Sequence, residues 1–234
     1  MVTTILFDLD GTLLPMDQDR FIQSYLGRMA KKLAPHGYDP DLLVKALWKG
    51  TGAMVKNDGS QSNEDLFWSV FNAVMGRDCR CDEPLFTDYY ENEFQLVASD
   101  CGFDARAGEA IREIRALGYH VALATNPLFP AIATHSRANW AGLNTKDFDL
   151  ITTYENSRFC KPNPEYYRDI LATLKLKPEN CVMVGNDVSE DMIAESMGIR
   201  VFLLTDHILN KENKDISQYP HGSFPELMDF IRRL

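Results

Sequence analysis

Two aspartates, Asp8 and Asp10, stand two residues apart where an apolar run, residues 3–7, gives way to Gly11 and Thr12. Alternate side chains of an extended strand share a face, so both carboxylates would point the same way. Close carboxylates repel unless a cation or a proton lies between them. Asp-Gly by itself is commonly no more than a turn. Behind a buried-strand pattern it marks the carboxyl end of a strand, where open α/β sheets bind ligands. A second group, Cys79-Arg80-Cys81, resembles half of a metal site, but no second Cys/His pair lies nearby as zinc spacing requires.

The elements that would carry the aspartates can be read from periodicity. Apolar or β-branched runs recur at 3–7, 120–126, 149–154, 181–187 and 200–205. Runs without polar alternation imply a parallel sheet covered on both faces. Helical patterns at 107–117, 164–176, 189–197 and 225–234 separate them. This alternation predicts an α/β fold, a doubly wound, Rossmann-like parallel sheet. Residues 15–100 break the pattern. Phe21, Ile22, Tyr25, Leu26, Met29 and Leu33 follow one helical face, and Leu66, Phe67, Val70, Phe71 and Val74 follow another, with Asn63 as the expected N-cap. A third face runs from Leu85 to Val97. The expectation is a core of residues 1–14 and 101–234 with an all-helical insertion at 15–100. Residues 206–222, polar with Pro, Gly and His, read as surface loop.

Bulk properties exclude some partners. A net charge of −10 argues against nucleic acid and anionic membranes, because no basic excess exists to neutralise phosphates. One local cation or metal would suffice for a small phosphorylated molecule. Five cysteines without framework spacing suit a reducing compartment. No apolar run is long enough to span a membrane and no signal-peptide layout opens the chain, so a cytoplasmic location is expected.

The run Asp8-Leu9-Asp10-Gly11-Thr12 resembles the first signature of the haloacid dehalogenase superfamily. Three further signatures follow in order: Thr125 at the end of the next core strand, Lys161 before Pro162-Asn163-Pro164, and the acidic stretch Asn186 to Asp191. The resemblance covers residues 3–15 and about 104–205. It implies a Mg²⁺-dependent phosphatase acting on a small phosphorylated metabolite, with the helical insertion as a cap domain. Asp8 would be the nucleophile, forming an aspartyl-phosphate. Asp10 would protonate the leaving alcohol and then deprotonate water. Mg²⁺ would be held by the Asp8 and Asp187 carboxylates and the Asp10 carbonyl, and would keep waters or substrate oxygens elsewhere. Lys161 would supply positive charge, and Thr125 with the Asn126 amide would hold phosphoryl oxygens. Three negative charges on Asp8, Asp187 and Asp191 would then be matched by Mg²⁺ and Lys161.

Taken singly, each signature has a plainer reading: a strand-end hydroxyl, a solvated loop lysine, acidic residues favouring a helix N-terminus. In many relatives the residue after Val-Gly is acidic, whereas here it is Asn186, so Asp187 becomes the expected metal ligand and Asp191 the partner of Lys161. A phosphomutase would use the same core residues. A haloalkanoate dehalogenase would need neither Mg²⁺ nor Asp10, and a non-catalytic phosphate- or metal-binding module would not need Asp8 or Lys161. Within the insertion, Trp48-Lys49-Gly50-Thr51-Gly52 reads as a plain turn between helices; the alternative, by resemblance to the family's cap loops, is a loop facing the core site with Lys49 and Thr51 as substrate contacts.

Overall fold

Six strands form one all-parallel sheet in the computed structural model, which describes residues 1–234. They are β1 (Thr4–Phe7), β2 (His120–Leu123), β3 (Leu150–Ile151), β4 (Cys181–Gly185), β5 (Arg200–Leu204) and β6 (His221–Gly222). The helices are α1 (Gln18–Leu33), α2 (Pro40–Val55), α3 (Asn63–Met75), α4 (Glu83–Glu91), α5 (Ala105–Ala116), α6 (Ala131–Trp140), α7 (Pro164–Leu174) and α8 (Phe224–Ile231). The spatial order β3-β2-β1-β4-β5-β6 runs outward in both directions from the β1–β4 pair. That reversal creates a crevice at the carboxyl ends of β1 and β4, and these are the ends that carry Asp8 and Asn186–Asp187.

Strand parity divides the core in two. Ile5, Phe7, Val121, Leu123, Val182 and Val184 pack with α5 and α8 on one face. Leu6, Ala122, Met183, Val201 and Leu203 pack with Tyr166, Tyr167, Ile170 and Leu171 of α7 on the other. The doubly wound reading of the sequence therefore holds. Three elements differ in detail. The run at 149–154 pairs only through Leu150 and Ile151, because Thr152 turns its hydroxyl onto the Leu123 and Thr125 carbonyls. The helical pattern at 189–197 becomes a 3-10 turn, Met192–Met197. The 206–222 loop ends by adding the short strand β6 at the sheet edge.

Helices α1 to α4 and the 3-10 segment Glu93–Asp100 bury a separate cluster centred on Phe21, Tyr25, Met29, Phe71, Tyr89 and Phe94. Asp17, Asp39 and Ser62 cap the first three helices with side-chain oxygens. Ser62, not Asn63, is the cap of α3. Asn63 is fully buried and donates from Nδ2 to the Pro127 carbonyl (3.3 Å) and to Cys160 Sγ (3.3 Å), while its backbone N–H reaches the Ser157 carbonyl (2.8 Å). This stitches the start of α3 to the core loops. The two chain crossings between sheet and helical segment lie together: Gly102 N–H donates to the Pro15 carbonyl at 2.8 Å, and Met16 bridges to Cys101.

The turn expected at residues 48–52 does not exist. α2 runs unbroken from Pro40 to Val55, through both glycines. Gly50 is buried, and a Cβ there would lie 2.5 Å from Phe67 Cδ2 of α3. Its lack of a side chain lets the two helices close, and the Phe67 ring is hemmed in by Trp68, Phe71 and Tyr154. A Cβ on Gly52 would meet nothing. Gly50→Ala should therefore destabilise the protein by about 1–3 kcal/mol through overpacking, while Gly52→Ala should stabilise it by up to ~1 kcal/mol through helix propensity. Thermal melts of the pair check this; equal shifts of the same sign would mean that the approach of α3 is not what demands Gly50.

Candidate active site

β1 delivers Asp8 to the crevice, its backbone N–H bonded to the Val184 carbonyl of β4 at 2.9 Å. The chain then turns on Gly11 at φ +84, a backbone region that glycine adopts without strain. A Cβ there would stand 2.3 Å from Asn186 Nδ2, so the β1 and β4 loops touch through the missing side chain. Thr12 Oγ1 lies 3.2 Å from Asp8 Oδ2 and 2.9 Å from Asn186 Oδ1.

Lys161, fully buried in the turn before α7, places Nζ 2.8 Å from Asp8 Oδ1 and 2.6 Å from Asp191 Oδ1. Burial works against the ammonium charge, but the Asp191 and Asp8 carboxylates outweigh it and hold Lys161 well above its ordinary range. Burial pushes Asp191 up to about 7, against the pull of Lys161. Its other oxygen accepts from the Asp187 backbone N–H at 2.9 Å. A Cβ on Gly185 would stand 2.1 Å from that carboxylate, so the bare Val-Gly step gives Asp191 its room.

Asp187 Oδ1 accepts the backbone N–H groups of Ser189 and Glu190 at 2.7 and 2.9 Å, which leaves Oδ2 for a further partner. Asn186 is already committed, to Thr12 on one side and through Nδ2 to the His207 carbonyl at 2.7 Å on the other. No protein donor reaches the Asp10 carbonyl. The oxygens with room for a cation are Asp8 Oδ2, which meets only the Thr12 hydroxyl, the Asp10 carbonyl and Asp187 Oδ2. An all-oxygen set suits a hard cation such as Mg²⁺. No three His, Cys, Asp or Glu side chains cluster so as to hold a metal ion by themselves. The same holds around Cys79-Arg80-Cys81, where both thiols are free.

Thr125 follows β2, with its carbonyl fixed by Thr152 Oγ1 (2.6 Å) and Tyr166 OH (2.9 Å). Its hydroxyl plays no part in those bonds, and the Asn126 backbone N–H has no protein acceptor. Asn126 Nδ2 instead donates to Glu190 Oε2 at 2.9 Å, and burial raises the Glu190 carboxyl.

Arg137 of α6 is the residue that the sequence reading misses. It is 1% exposed, its guanidinium pairs with Asp10 Oδ2, and it stacks 4.3 Å over the Phe129 ring centroid. Asp10 Oδ1 and Arg137 Nε have no partner. Burial raises the Asp10 carboxyl and Arg137 opposes that rise. No local signal marks it: Arg137 is buried on α6 beside Ala133 and Thr134, and what turns it inward is its long-range partner Asp10.

The structure thus brings Asp8, Asp10, Thr125, Asn126, Lys161 and Asp187 around one crevice, lined also by Asn186, Glu190 and Asp191. Lys49 does not join them, since it is exposed on α2 and lies outside the cavity that Thr51 helps to line. The sequence matches the haloacid dehalogenase-like hydrolase family over residues 2–198. The chain belongs to that family. Among similar proteins, a phosphoglycolate phosphatase of Colwellia psychrerythraea is 24% identical, covering 98% of this chain and 96% of the relative. A glyceraldehyde 3-phosphate phosphatase of Methanocaldococcus jannaschii is 25% identical over 100% and 99%. The structure of a 2-haloacid dehalogenase from Pseudomonas syringae pv. Tomato superposes with a TM-score of 0.63 at 18% identity, covering 100% and 99% of the two chains. That likeness concerns the haloacid dehalogenase-like fold, which hosts both chemistries. No helix is long and apolar enough to cross a membrane.

Proposed function

We propose that this haloacid dehalogenase-like hydrolase removes the phosphoryl group from a small phosphate monoester through an aspartyl-phosphate on Asp8. Family membership and the phosphatase relatives support the phosphatase class. The finer reading rests on one observation: the Asp8 carboxylate at the β1–β4 crevice, held by Lys161 at 2.8 Å.

In this reading Asp8 attacks phosphorus with one oxygen while Lys161 neutralises the other. The Thr125 hydroxyl and the Asn126 amide bind phosphoryl oxygens that the attack makes equivalent. Asp10, raised by burial, gives its proton to the departing alcohol from Oδ1, the oxygen that Arg137 leaves free. It then takes a proton from the water that cleaves the acyl phosphate. Mg²⁺ held by Asp8, the Asp10 carbonyl and Asp187 would screen the charge between carboxylate and phosphate dianion. Residues 15–100 act as a cap over residues 1–14 and 101–234, excluding water during the attack and opening for release. The dehalogenase alternative is disfavoured by Asp10 itself, a carboxyl raised by burial beside the Asp8 nucleophile, since displacement of halide needs no acid.

Chelation tests the metal. Excess EDTA should abolish phosphate release and added Mg²⁺ should restore it. Asp187→Ala should raise the Mg²⁺ concentration for half-maximal rate by at least tenfold. Full activity in EDTA would sink the metal assignment, and an unchanged Mg²⁺ dependence in the variant would move the ligand away from Asp187.

A further inference from the structure

The cavity over Asp8 and Asp10 is far larger than a phosphoryl group requires. Its volume is about 580 Å³, and 17 of its 33 lining residues are hydrophobic. From the aspartates it extends between α1, α2 and α3 into a wall of Phe21, Tyr25, Phe67, Trp68, Phe129 and Tyr154. Small-molecule pockets span roughly 300–1,000 Å³, so a whole aromatic ring system fits, whereas a two-carbon alcohol would leave most of this space empty.

Charge selects further. Lys161 and Arg137 at the site are committed to Asp8 and Asp10, and beyond them Lys211 is the one basic residue that lines the cavity. It is exposed and follows Leu209, whose backbone N–H bonds to the Asn186 carbonyl at 2.8 Å, so it stands at the metal end. The helical end presents Glu64, Glu83 and Glu155, and the one cation beside them, Arg80, is taken up by Glu64 (3.6 Å) and Asp65 (2.9 Å) behind the Trp68 ring. A carboxylate or second phosphate on the leaving group would meet aromatic rings and like charge there. The same wall holds a donor without a well-formed bond: the buried Trp68 indole N–H has only the neighbouring Tyr154 hydroxyl to turn to, and a poorly paired buried donor costs free energy unless something better accepts from it. Trp68 is otherwise fixed by edge contacts with Phe71 and Phe86.

Resting on the phosphatase reading, we infer that the substrate is the phosphate monoester of an aromatic or heteroaromatic alcohol, uncharged or cationic, carrying a hydrogen-bond acceptor for Trp68. The ring stacks within the aromatic wall, its acceptor takes the Trp68 N–H, and the ester oxygen reaches Asp10. Compact anionic esters bind only through their phosphoryl group.

Four alkyl-type esters, whose leaving alcohols are close in intrinsic reactivity, make the test: 4-pyridylmethyl, benzyl and methyl phosphate, and 2-phosphoglycolate. With Mg²⁺ the two ring esters should exceed the other two at least tenfold in kcat/KM. Thr51→Trp, which fills the cavity from the half-buried face of α2, should lower the benzyl-to-methyl ratio. Trp68→Phe keeps the packing and should lower the pyridylmethyl-to-benzyl ratio. If 2-phosphoglycolate matches or beats the ring esters, the inference is overturned while the phosphatase reading stands. If no ester is cleaved, 4-nitrophenyl phosphate included, the phosphatase reading falls and takes this inference with it.

Discussion

Asp8→Asn is expected to fold as the parent does and to lose at least about 10³-fold in kcat/KM, the order seen when a covalent nucleophile is removed. The substitution is nearly isosteric, so Thr12 and Lys161 keep a neighbour of the same shape, and Asp191 still pairs with Lys161 at 2.6 Å. What goes is the anionic oxygen that attacks phosphorus. Circular dichroism and a thermal melt establish the fold, and phosphate release measures turnover. Acid-quenched wild-type protein should carry one phosphoryl group by mass spectrometry, on the peptide containing Asp8, and the variant none. A folded Asp8→Asn protein with wild-type turnover would rule out covalent catalysis at this position.

Lys161→Met is expected to harm both activity and stability. Lys161 Nζ lies between two carboxylates, and the side chain is wholly buried. Breaking a buried ion pair from one side destabilises by about 3–5 kcal/mol, because the remaining charge is left uncompensated. Asp191 already has its pKa pushed up to about 7 by burial, and loss of the ammonium removes the cation opposing that rise. A carboxyl that binds its proton more tightly folded than unfolded favours folding at low pH. That contribution is lost as pH climbs from the ordinary carboxylate range through the raised value. The melting temperature of the variant should therefore trail the wild type by more at pH 8 than at pH 5. Activity should fall by at least about 10²-fold at either pH, as when one stabilising donor is removed from a site where charge develops. A variant as stable as the parent at pH 8 would show that Lys161 is solvated in solution and not locked between Asp8 and Asp191.

The parts of this site that were legible in the sequence are those carried by short-range pattern. Asp8 and Asp10 could be placed because β1 is a continuous apolar run that stops at a glycine. Asp187 could be placed because it follows a recognisable strand, and Lys161 because Pro162-Asn163-Pro164 marks the start of a helix. Arg137 was hidden, since a basic residue in a ten-residue helix ordinarily faces water, and only the packing of α6 against the β1 loop turns it inward. Gly50 and Gly52 misled for the opposite reason. Their low helix propensity is real, but at Gly50 the approach of Phe67 overrides it, and propensity cannot register a neighbour seventeen residues away. Asn63 reads as a cap from sequence because caps and buried amides use the same residue type. Its bonds to Pro127, Ser157 and Cys160 are long-range and leave no local trace.

The pinched junction at Pro15–Met16 and Cys101–Gly102 bears on how such a chain changes over time. Because the sheet side already holds the two crossings together, what lies beyond them is a closed excursion whose length hardly matters to the strands. Loop-closure free energy grows only as the logarithm of length, about 0.6 kcal/mol per doubling. Helices can be lengthened, lost or exchanged beyond that clasp with little strain on β1 or β4. The sheet and the helices beyond the clasp can thus vary as separate parts of one polypeptide, joined at a graft point two residues wide on either side, while Phe129 and Tyr154 keep the sheet side's share of the aromatic wall.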